Sequence, residues 1–182
     1  DILLPEGKRR AFSIANAPQH GDTLDLHIRR VAGGGFTQFV FDELRLGQVL
    51  RIEAPLGTFV PREGGDRPIV LMAGGTGFAP IKAIVEHLTD RHTHRALHIY
   101  WGARHVSDLY LDGLCRQWES EHPNLRYTPV LSEANALERN QYRSGPVHEA
   151  VLKDFPDLSR FDVYMSGPPP MIEAGRRAFV AA

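Results

Sequence analysis

The sequence is poor in cysteine, and it lacks both a long apolar run and an excess of charge of one sign. Its single cysteine, Cys115, excludes an internal disulfide and any four-cysteine zinc or iron–sulfur site within the chain. No segment approaches the roughly 20 apolar residues of a membrane span, and no signal segment opens the sequence. With 21 lysines and arginines against 22 aspartates and glutamates, the basic excess of most nucleic-acid-binding proteins is missing. We therefore expect a cytoplasmic protein that neither spans a membrane nor binds nucleic acid.

The overall composition is that of an ordinary globular protein. One polar stretch divides the sequence into two regions. Hydrophobic residues make up 42% and charged residues 24% of the chain, as in folded domains generally. Residues 62–68 separate two apolar regions and contain the glycines and proline of a linker. We predict a first domain over residues 1–64 and a second over residues 65–182.

Before this stretch the sequence has the pattern of β structure. Leu24, Leu26 and Ile28 alternate with polar residues, which is the period of a half-buried strand. Residues 49–54 repeat the pattern. Between these segments, residues 37–44 are predicted to form a short helix with Thr37 as a candidate N-cap.

After the stretch, strands and helices alternate. Residues 69–73 are continuously apolar, as in a strand covered on both faces. A helix opening at Pro80 would place four apolar residues on one side: Ile81, Ile84, Val85 and Leu88. Three further cycles follow, with strands at 97–102, 125–131 and 162–165 and helices at 109–121, 146–153 and from about 170 onward. This alternation predicts an α/β domain with a parallel sheet.

The two ends of the sequence fall inside predicted elements. Residues 1–5 begin without a methionine in what should be the middle or end of a strand, and residues 178–182 stop within a helix. We interpret the chain as part of a longer polypeptide.

The most specific local signal is the Gly-Gly-Thr-Gly-Phe-Ala-Pro sequence at 74–80, between an apolar strand and a helix. Such glycines let the backbone approach a phosphate, and a helix N-terminus offers unpaired N–H groups. The sequence is not a P-loop, because no Gly-Lys-Ser/Thr follows, and Pro80 stands where a dinucleotide fingerprint has its third glycine. A tight strand–helix turn without a ligand is the alternative.

Three weaker signals accompany this turn. Arg10, Phe12 and Ser13 combine a guanidinium, an aromatic ring and a hydroxyl that could address the phosphate, ring and ring nitrogen of one ligand. Residues 33–37 form a Gly-rich turn whose amides and Thr37 hydroxyl suit a diphosphate. Ser166 ends the last strand, where ligands bind in parallel sheets. Each of these signals alone is also explained by ordinary strands and loops.

Taken in order, the four motifs resemble the ferredoxin–NADP reductase superfamily. Its pattern is Arg-x-aromatic-Ser, a Gly-rich turn with Ser or Thr, Gly-Gly-Thr/Ser-Gly-x-x-Pro, and Cys/Ser-Gly-Pro-Pro-x-Met. Residues 10–18, 55–59 and 100–104 are most similar to the bacterial oxygenase-reductase branch, which includes the CDP-6-deoxy-glucoseen reductases. The resemblance covers nearly the whole chain. It implies an antiparallel flavin-binding β-barrel followed by a parallel α/β dinucleotide-binding domain.

The resemblance also implies a role for each motif residue. In the flavin half, Arg10 would bind a phosphate, Phe12 would lie against the isoalloxazine, and Ser13 would hydrogen-bond near N5. The ribityl–pyrophosphate side would be bordered by His27, Ile28 and Arg29, and the pyrophosphate would be held by Gly34 and Thr37.

In the other half, the dinucleotide would be held by Gly75, Thr76, Gly77 and Pro80. Its adenosine end would lie near Arg104 and Ser132, and its nicotinamide near Ser166, Gly167, Pro168 and Met171. Ser13 and Ser166 are the candidate catalytic residues.

The implied activity is a flavin-dependent NAD(P)H oxidoreductase that transfers electrons to an iron–sulfur domain or protein, or to another one-electron acceptor. FAD is favoured over FMN because the Gly-rich turn suits a pyrophosphate. A free-flavin reductase and a non-catalytic flavin-binding regulatory subunit are alternatives. Many relatives have cysteine in place of Ser166. The family's first barrel strands would precede Asp1, its final strand would follow Ala182, and any [2Fe–2S] domain would lie outside this chain.

The coenzyme is predicted to be NADH rather than NADPH. Glu133 and Glu138 follow Ser132 near the predicted adenosine end, and their charges would repel a 2′-phosphate. The opposing possibility is that cations swing toward that phosphate, the candidates being Arg104, Arg139 and Arg143.

Other residues are interpreted as structural. His92 and His94 are taken as part of a charged loop rather than a metal site, because no third ligand has suitable spacing. Cys115 is expected to be a buried thiol, and Trp101 and Trp118 are expected to be packing residues. No Gly-x-Ser-x-Gly sequence supports a serine hydrolase.

Overall fold

The amino-terminal part of the chain consists of short antiparallel strands and one irregular helix. The structure is a computed structural model that describes residues 1–4, 7–62 and 64–182. Strands β1 (Ile2–Leu3), β2 (Arg9–Arg10) and β3 (Arg51–Ile52) form an antiparallel sheet in the order β2-β1-β3. Helix α1 (Gly35–Gln38) continues directly into a π-helical stretch, Phe39–Glu43. The predicted antiparallel character of this part is confirmed, although its strands are short.

The prediction of a regular strand at the alternating segment Leu24–Ile28 is wrong. In the described chain Leu26 forms an isolated antiparallel bridge with Ile14. The Asn16 side chain replaces further ladder bonds, because its amide donates to Thr23 O at 2.9 Å and its oxygen accepts from Asp25 N at 2.9 Å. The predicted strand at 49–54 is likewise reduced to Arg51–Ile52.

The predicted N-cap at Thr37 is also wrong. Helix α1 begins earlier, with Gly34 in the N-cap position. The Thr37 hydroxyl instead closes the preceding loop, since it donates to Gly34 O at 3.0 Å and accepts from Val31 N at 3.2 Å. A Cβ at Gly34 would lie 2.9 Å from Thr37 Oγ1, so the closed loop requires glycine at that position.

The second part of the chain is a parallel α/β domain, as predicted. Its strands are β4 (Ile69–Gly74), β5 (Leu97–Ala103), β6 (Leu125–Leu131), β7 (Arg143–Ser144) and β8 (Asp162–Ser166), in the order β7-β6-β5-β4-β8. Its helices are α2 (Phe78–Asp90), α3 (Asp112–Glu121), α4 (Val147–Asp154) and α5 (Pro169–Ala181). The short edge strand β7 was missed because its two residues are exposed and carry no apolar pattern. None of the helices in the described ranges has the length and apolar character needed to cross a membrane.

Strand β4 lies at the centre of the hydrophobic core. Ile69 and Leu71 face a cluster that contains residues of α2 and α3, whereas Val70 and Met72 face α4 and α5. All six residues of β4 are buried. The continuous apolar run therefore reflects burial on both faces of the sheet.

Two groups of polar contacts fix the amino-terminal part on this domain. At the amino end of the sheet, buried Arg95 pairs with Asp162 and donates to the carbonyl oxygens of Arg67 at 2.6 Å and Arg62 at 3.2 Å. Arg95 thus holds the segment in which the domain boundary was predicted. The boundary itself stays a prediction, and Glu63 within it lies outside the described residues, as does Pro5.

The second group lies along α2. Lys82 Nζ donates to Ala15 O at 3.0 Å, and Glu86 accepts from Ala17 N at 3.0 Å. One turn further, Asp90 contacts His20 Nε2 at 2.6 Å. The spacing of four residues places these three side chains on one face of the helix, so α2 carries the segment that follows the Arg10–Ser13 motif.

Candidate functional site

The order of the strands creates a crevice between β4 and β8. The chain proceeds from β4 to β5, β6 and β7 on one side, whereas β8 pairs with β4 on the other side. In open parallel sheets, ligands bind at the carboxyl ends of the strands where the order reverses in this way. Here those ends are Gly74 of β4 and Ser166 of β8. The glycine-rich turn and the Ser166 turn, predicted independently from the sequence, therefore border the same crevice.

The two turns pack backbone against backbone, and this contact depends on glycine. A Cβ at Gly77 would lie 2.5 Å from Gly167 N and against the carbonyl oxygen of Ser166. A Cβ at Gly74 would lie 2.5 Å from Met171 Sδ. No described side chain caps the start of α2 at Gly77, which leaves backbone N–H groups for an anionic ligand. This cradle fits the phosphates of a dinucleotide.

Trp101 and Phe78 support the turn from below. Their rings stack at a centroid distance of 3.9 Å and an angle of 10°, and Trp101 Nε1 donates to Gly75 O at 3.1 Å. Trp101 was expected to be a packing residue, and this hydrogen bond was not predicted. The position of a tryptophan near the carboxyl end of a strand beside the glycine turn was the only sequence signal for this bond, and it does not show that Gly75 O is the acceptor.

The residues predicted to contact the nicotinamide lie together after β8. Ser166 and Gly167 are partly buried, Pro168 is the N-cap of α5, and Met171 lies in the first turn of that helix. Thr76 and Pro80 lie across the crevice, in the glycine turn and in α2. Their roles toward a ligand stay predictions.

The predicted adenosine end lies at the carboxyl ends of β5 and β6. Ser132 is exposed, and its hydroxyl donates to Ala103 O at 3.3 Å. Arg104 and His105 approach Glu133 from two sides, with Arg104 Nε 3.6 Å from Oε1 and His105 Nε2 3.7 Å from Oε2. All of these side chains reach solvent, so this rim could contact a ligand.

The structure corrects the expected position of Glu138. Its carboxylate is buried and accepts hydrogen bonds from Asn135 N at 2.8 Å and Val106 N at 3.2 Å. These backbone donors hold the pKa of Glu138 below its ordinary value, and the hydrogen bond from Asn135 N has the largest effect. Two of the expected cations are also engaged, since Arg139 Nε donates to Ala134 O at 3.0 Å and Arg143 pairs with Asp154 at 2.6 Å. Glu133 and Arg104 are therefore the predicted charged residues left at the rim.

Arg10 and the start of α1 border a cleft of about 960 Å³, whereas the predicted flavin-site residues Phe12, Ser13, Gly34 and Thr37 are not among the residues that line it. Arg10 is exposed, and its Nη1 donates to Arg9 O at 2.8 Å. The ring of Phe12 lies 5.4 Å from that of Phe36 in α1. Apart from two glycines, the residues that line the cleft are apolar or basic: Leu3, Leu4, Gly7, Lys8, Arg9, Arg10, Gly35, Phe36, Phe39, Val49, Leu50 and Arg51. A ligand with both a planar ring and phosphates, such as FAD, fits this character.

His27 contacts the other part of the chain. Its Nδ1 lies 2.7 Å from the Tyr110 hydroxyl, and the two rings meet edge to face. Burial and, to a smaller extent, the charge of Lys82 lower the pKa of His27, which favours the neutral imidazole. The contact with Tyr110 was missed, because no sequence signal connects residues so far apart. The neighbouring Ile28 is partly buried and Arg29 is exposed.

Comparisons with known proteins agree with this division into two binding regions. The model of a family described as oxidoreductase NAD-binding domain matches residues 71–177, and that of oxidoreductase FAD-binding domain matches residues 4–60. The chain is 46% identical over 178 residues to CDP-6-deoxy-L-threo-D-glycero-4-hexulose-3-dehydrase reductase of Yersinia pestis, covering 98% of this chain and 53% of the relative. It is 34% identical over 177 residues to reductase component 1 of the terephthalate 1,2-dioxygenase of a Comamonas species, covering 97% and 52%.

A solved structure shows the same arrangement. The Amycolatopsis cytochrome P450 reductase GcoB matches with a TM-score of 0.90 and 37% identity over 99% of this chain and 55% of that one. The chain spans about half the length of the curated relatives it matches. The resemblance to the ferredoxin–NADP reductase superfamily is thus confirmed, and the chain belongs to the family of oxidoreductases that join an FAD-binding domain to an NAD-binding domain.

Proposed function

We propose that the chain is the flavin- and dinucleotide-binding part of a reductase that oxidises NADH and transfers electrons through FAD to an iron–sulfur centre or another one-electron acceptor. The observation that carries the proposal is the position of α2. This helix begins at the dinucleotide turn, and its polar face binds residues 15–20, directly after the Arg10–Ser13 motif. One rigid element therefore positions both binding regions. The relatives are the reductase of a dehydrase and the reductase component of a dioxygenase, which supports the same activity.

The flavin would be held by residues of the amino-terminal motifs, of which Arg10 lines the cleft. Arg10 would pair with a phosphate, and Phe12, already in contact with Phe36, would lie against the ring system. Gly34 and Thr37 would border the pyrophosphate at the start of α1, and Ser13 would donate to the reacting ring. When bound, FAD would accept a hydride from the nicotinamide and release its electrons singly.

The dinucleotide would occupy the crevice between β4 and β8. The turn formed by Gly75, Thr76 and Gly77 would hold its phosphates, and Ser166 would orient the nicotinamide ring. The contribution of the protein is the placement of two reacting rings and the exclusion of water between them. Such placement needs rigid support, which the stacked Trp101 and Phe78 provide beneath the turn.

NADH is the proposed coenzyme because of the charge at the adenosine rim. Glu133 is exposed there, and its carboxylate lies close to both Arg104 and His105. A 2′-phosphate would have to displace these contacts and lie close to a carboxylate. Repulsion between such charges costs on the order of 1 kcal/mol or more at intermediate dielectric.

Anaerobic mixing of the flavin-loaded protein with NADH tests the proposal. We expect bleaching of the flavin absorbance, followed by reduction of a one-electron dye while the flavin stays bound. NADH binding without bleaching would instead indicate a regulatory subunit, and release of reduced flavin as product would indicate a free-flavin reductase. Either result would overturn the proposal.

A further inference from the structure

A line of aromatic contacts connects the amino-terminal part to the dinucleotide turn. The Tyr110 hydroxyl lies 2.7 Å from His27 Nδ1. The ring of Tyr110 meets that of Trp101 edge to face, at a centroid distance of 5.1 Å and an angle of 89°. Trp101 in turn donates to Gly75 O at 3.1 Å. Three consecutive contacts thus lead from His27 to the glycine turn.

The other end of this line lies beside the flavin motif. Ile14 pairs with Leu26 in an antiparallel bridge, and Ala15 N donates to Asp25 O at 2.8 Å in the same register. Continuing that register by one residue places His27 opposite Ser13. The contacts through Tyr110 therefore join the segment that carries Ser13 to the turn that carries Gly75.

The hydroxyl of Tyr110 is not needed for packing. Tyr110 is 43% exposed, and its ring alone makes the contacts with Trp101 and Phe78. The hydroxyl adds a bond to the other part of the chain, and that bond restricts how the two parts are oriented.

We propose that Tyr110 is a positioning residue for hydride transfer, which fixes the Ser13 segment relative to the Gly75 turn through His27 and Trp101. This inference rests on the proposed function, because it takes Ser13 to lie at the flavin and Gly75 at the dinucleotide. Tyr110 acts through its neighbours, so its loss should change the alignment of the two rings rather than the affinity for either ligand.

Tyr110→Phe tests the inference, since it removes the hydroxyl and keeps the ring. We expect the limiting rate of flavin reduction by NADH to fall about fivefold, the factor that corresponds to one net hydrogen bond, with an unchanged dissociation constant for NADH. The matched control is Tyr164→Phe. Its hydroxyl accepts from Arg62 N at 2.7 Å, so this variant also loses a bond between the two parts, but one that involves neither His27 nor the Trp101–Gly75 hydrogen bond. It should keep the rate of the unsubstituted protein.

A second readout does not depend on activity. In the ¹⁵N NMR spectrum of the flavin-free protein, the ring nitrogens of His27 should shift in Tyr110→Phe and not in Tyr164→Phe. The inference is overturned if the two variants lose rate equally, if Tyr110→Phe reduces its flavin at the unsubstituted rate, or if the His27 signals do not move. Failure of the unsubstituted protein to reduce its flavin would be a different result, since it contradicts the proposed function itself.

Discussion

Replacing Gly77 by alanine should separate the two turns that form the dinucleotide crevice. The new Cβ would lie 2.5 Å from Gly167 N, whereas an ordinary contact begins at 3.4 Å. The opposing atoms belong to backbone and cannot rotate away, so one turn must move by roughly 1 Å. Overpacking of this kind costs about 1–3 kcal/mol of stability. A displacement of that size in a site that aligns two reactants reduces the rate by about a hundredfold.

The control for this substitution is Gly113→Ala. Gly113 is the second residue of α3, where a Cβ would meet nothing within 4 Å, and alanine has a higher helix propensity than glycine. We expect Gly113→Ala to raise the thermal midpoint slightly and to leave NADH binding unchanged. Gly77→Ala should lower the midpoint and weaken NADH binding in calorimetric titration, while flavin content stays the same. If Gly77→Ala binds NADH and is reduced like the unsubstituted protein, the packing of the two turns does not control the crevice.

Three further outcomes are expected. Arg10→Ala should lose a charge-assisted phosphate contact worth about 1.5–3 kcal/mol, and flavin content after dialysis measures the loss; full retention would contradict the assignment. Ser166→Ala should lower the limiting rate of flavin reduction with a similar NADH dissociation constant, whereas an effect on binding alone would give Ser166 a ground-state role. The kcat/KM values at one ionic strength should favour NADH over NADPH by about tenfold, and Glu133→Gln should narrow that ratio. A preference for NADPH in the unsubstituted protein would refute the rim argument.

The parallel domain could be predicted closely because burial determines its sequence. Strand β4 is covered on both faces, so its residues are all apolar, and α2 is covered on one face, so its apolar residues repeat with the period of a helix. The glycine turn between them was recognisable for the same reason. It has to follow a buried strand and precede a helix, and both neighbours are clear in the sequence.

The amino-terminal part was less predictable because side chains replace regular backbone pairing there. Asn16 bonds to the backbone at Thr23 and Asp25, and Thr37 closes its own loop. Asparagine and threonine are common in loops for this reason, but their partners depend on how the chain returns. The sequence therefore predicted a strand at residues 24–28 and a helix N-cap at Thr37, and neither is present because these side chains bind the backbone elsewhere.

Contacts between distant residues account for what was missed in the site. Glu138 has the spacing of a surface charge near Ser132, and only the fold shows that Val106 and Asn135 take up its oxygens. Tyr110 was predicted to lie in the helix at 109–121, whereas α3 begins at Asp112, and only the fold shows that His27 lies against it. The motifs thus predicted one ligand-binding region in each of the two matched domains, but they contained no information on how those regions are joined.

The way they are joined follows from three contacts at separate places. Arg95 holds the linker at the amino end of the sheet, α2 binds residues 15–20 along its length, and Tyr110 meets His27 near the carboxyl end. Partly exposed polar contacts contribute little stability one at a time. Three contacts at separate places nevertheless restrict the orientation of the two parts more than any one of them does. The distance between the amino-terminal cleft and the crevice of the parallel domain is therefore set by these contacts rather than by the length of the linker, as the proposed transfer between two closely placed rings requires.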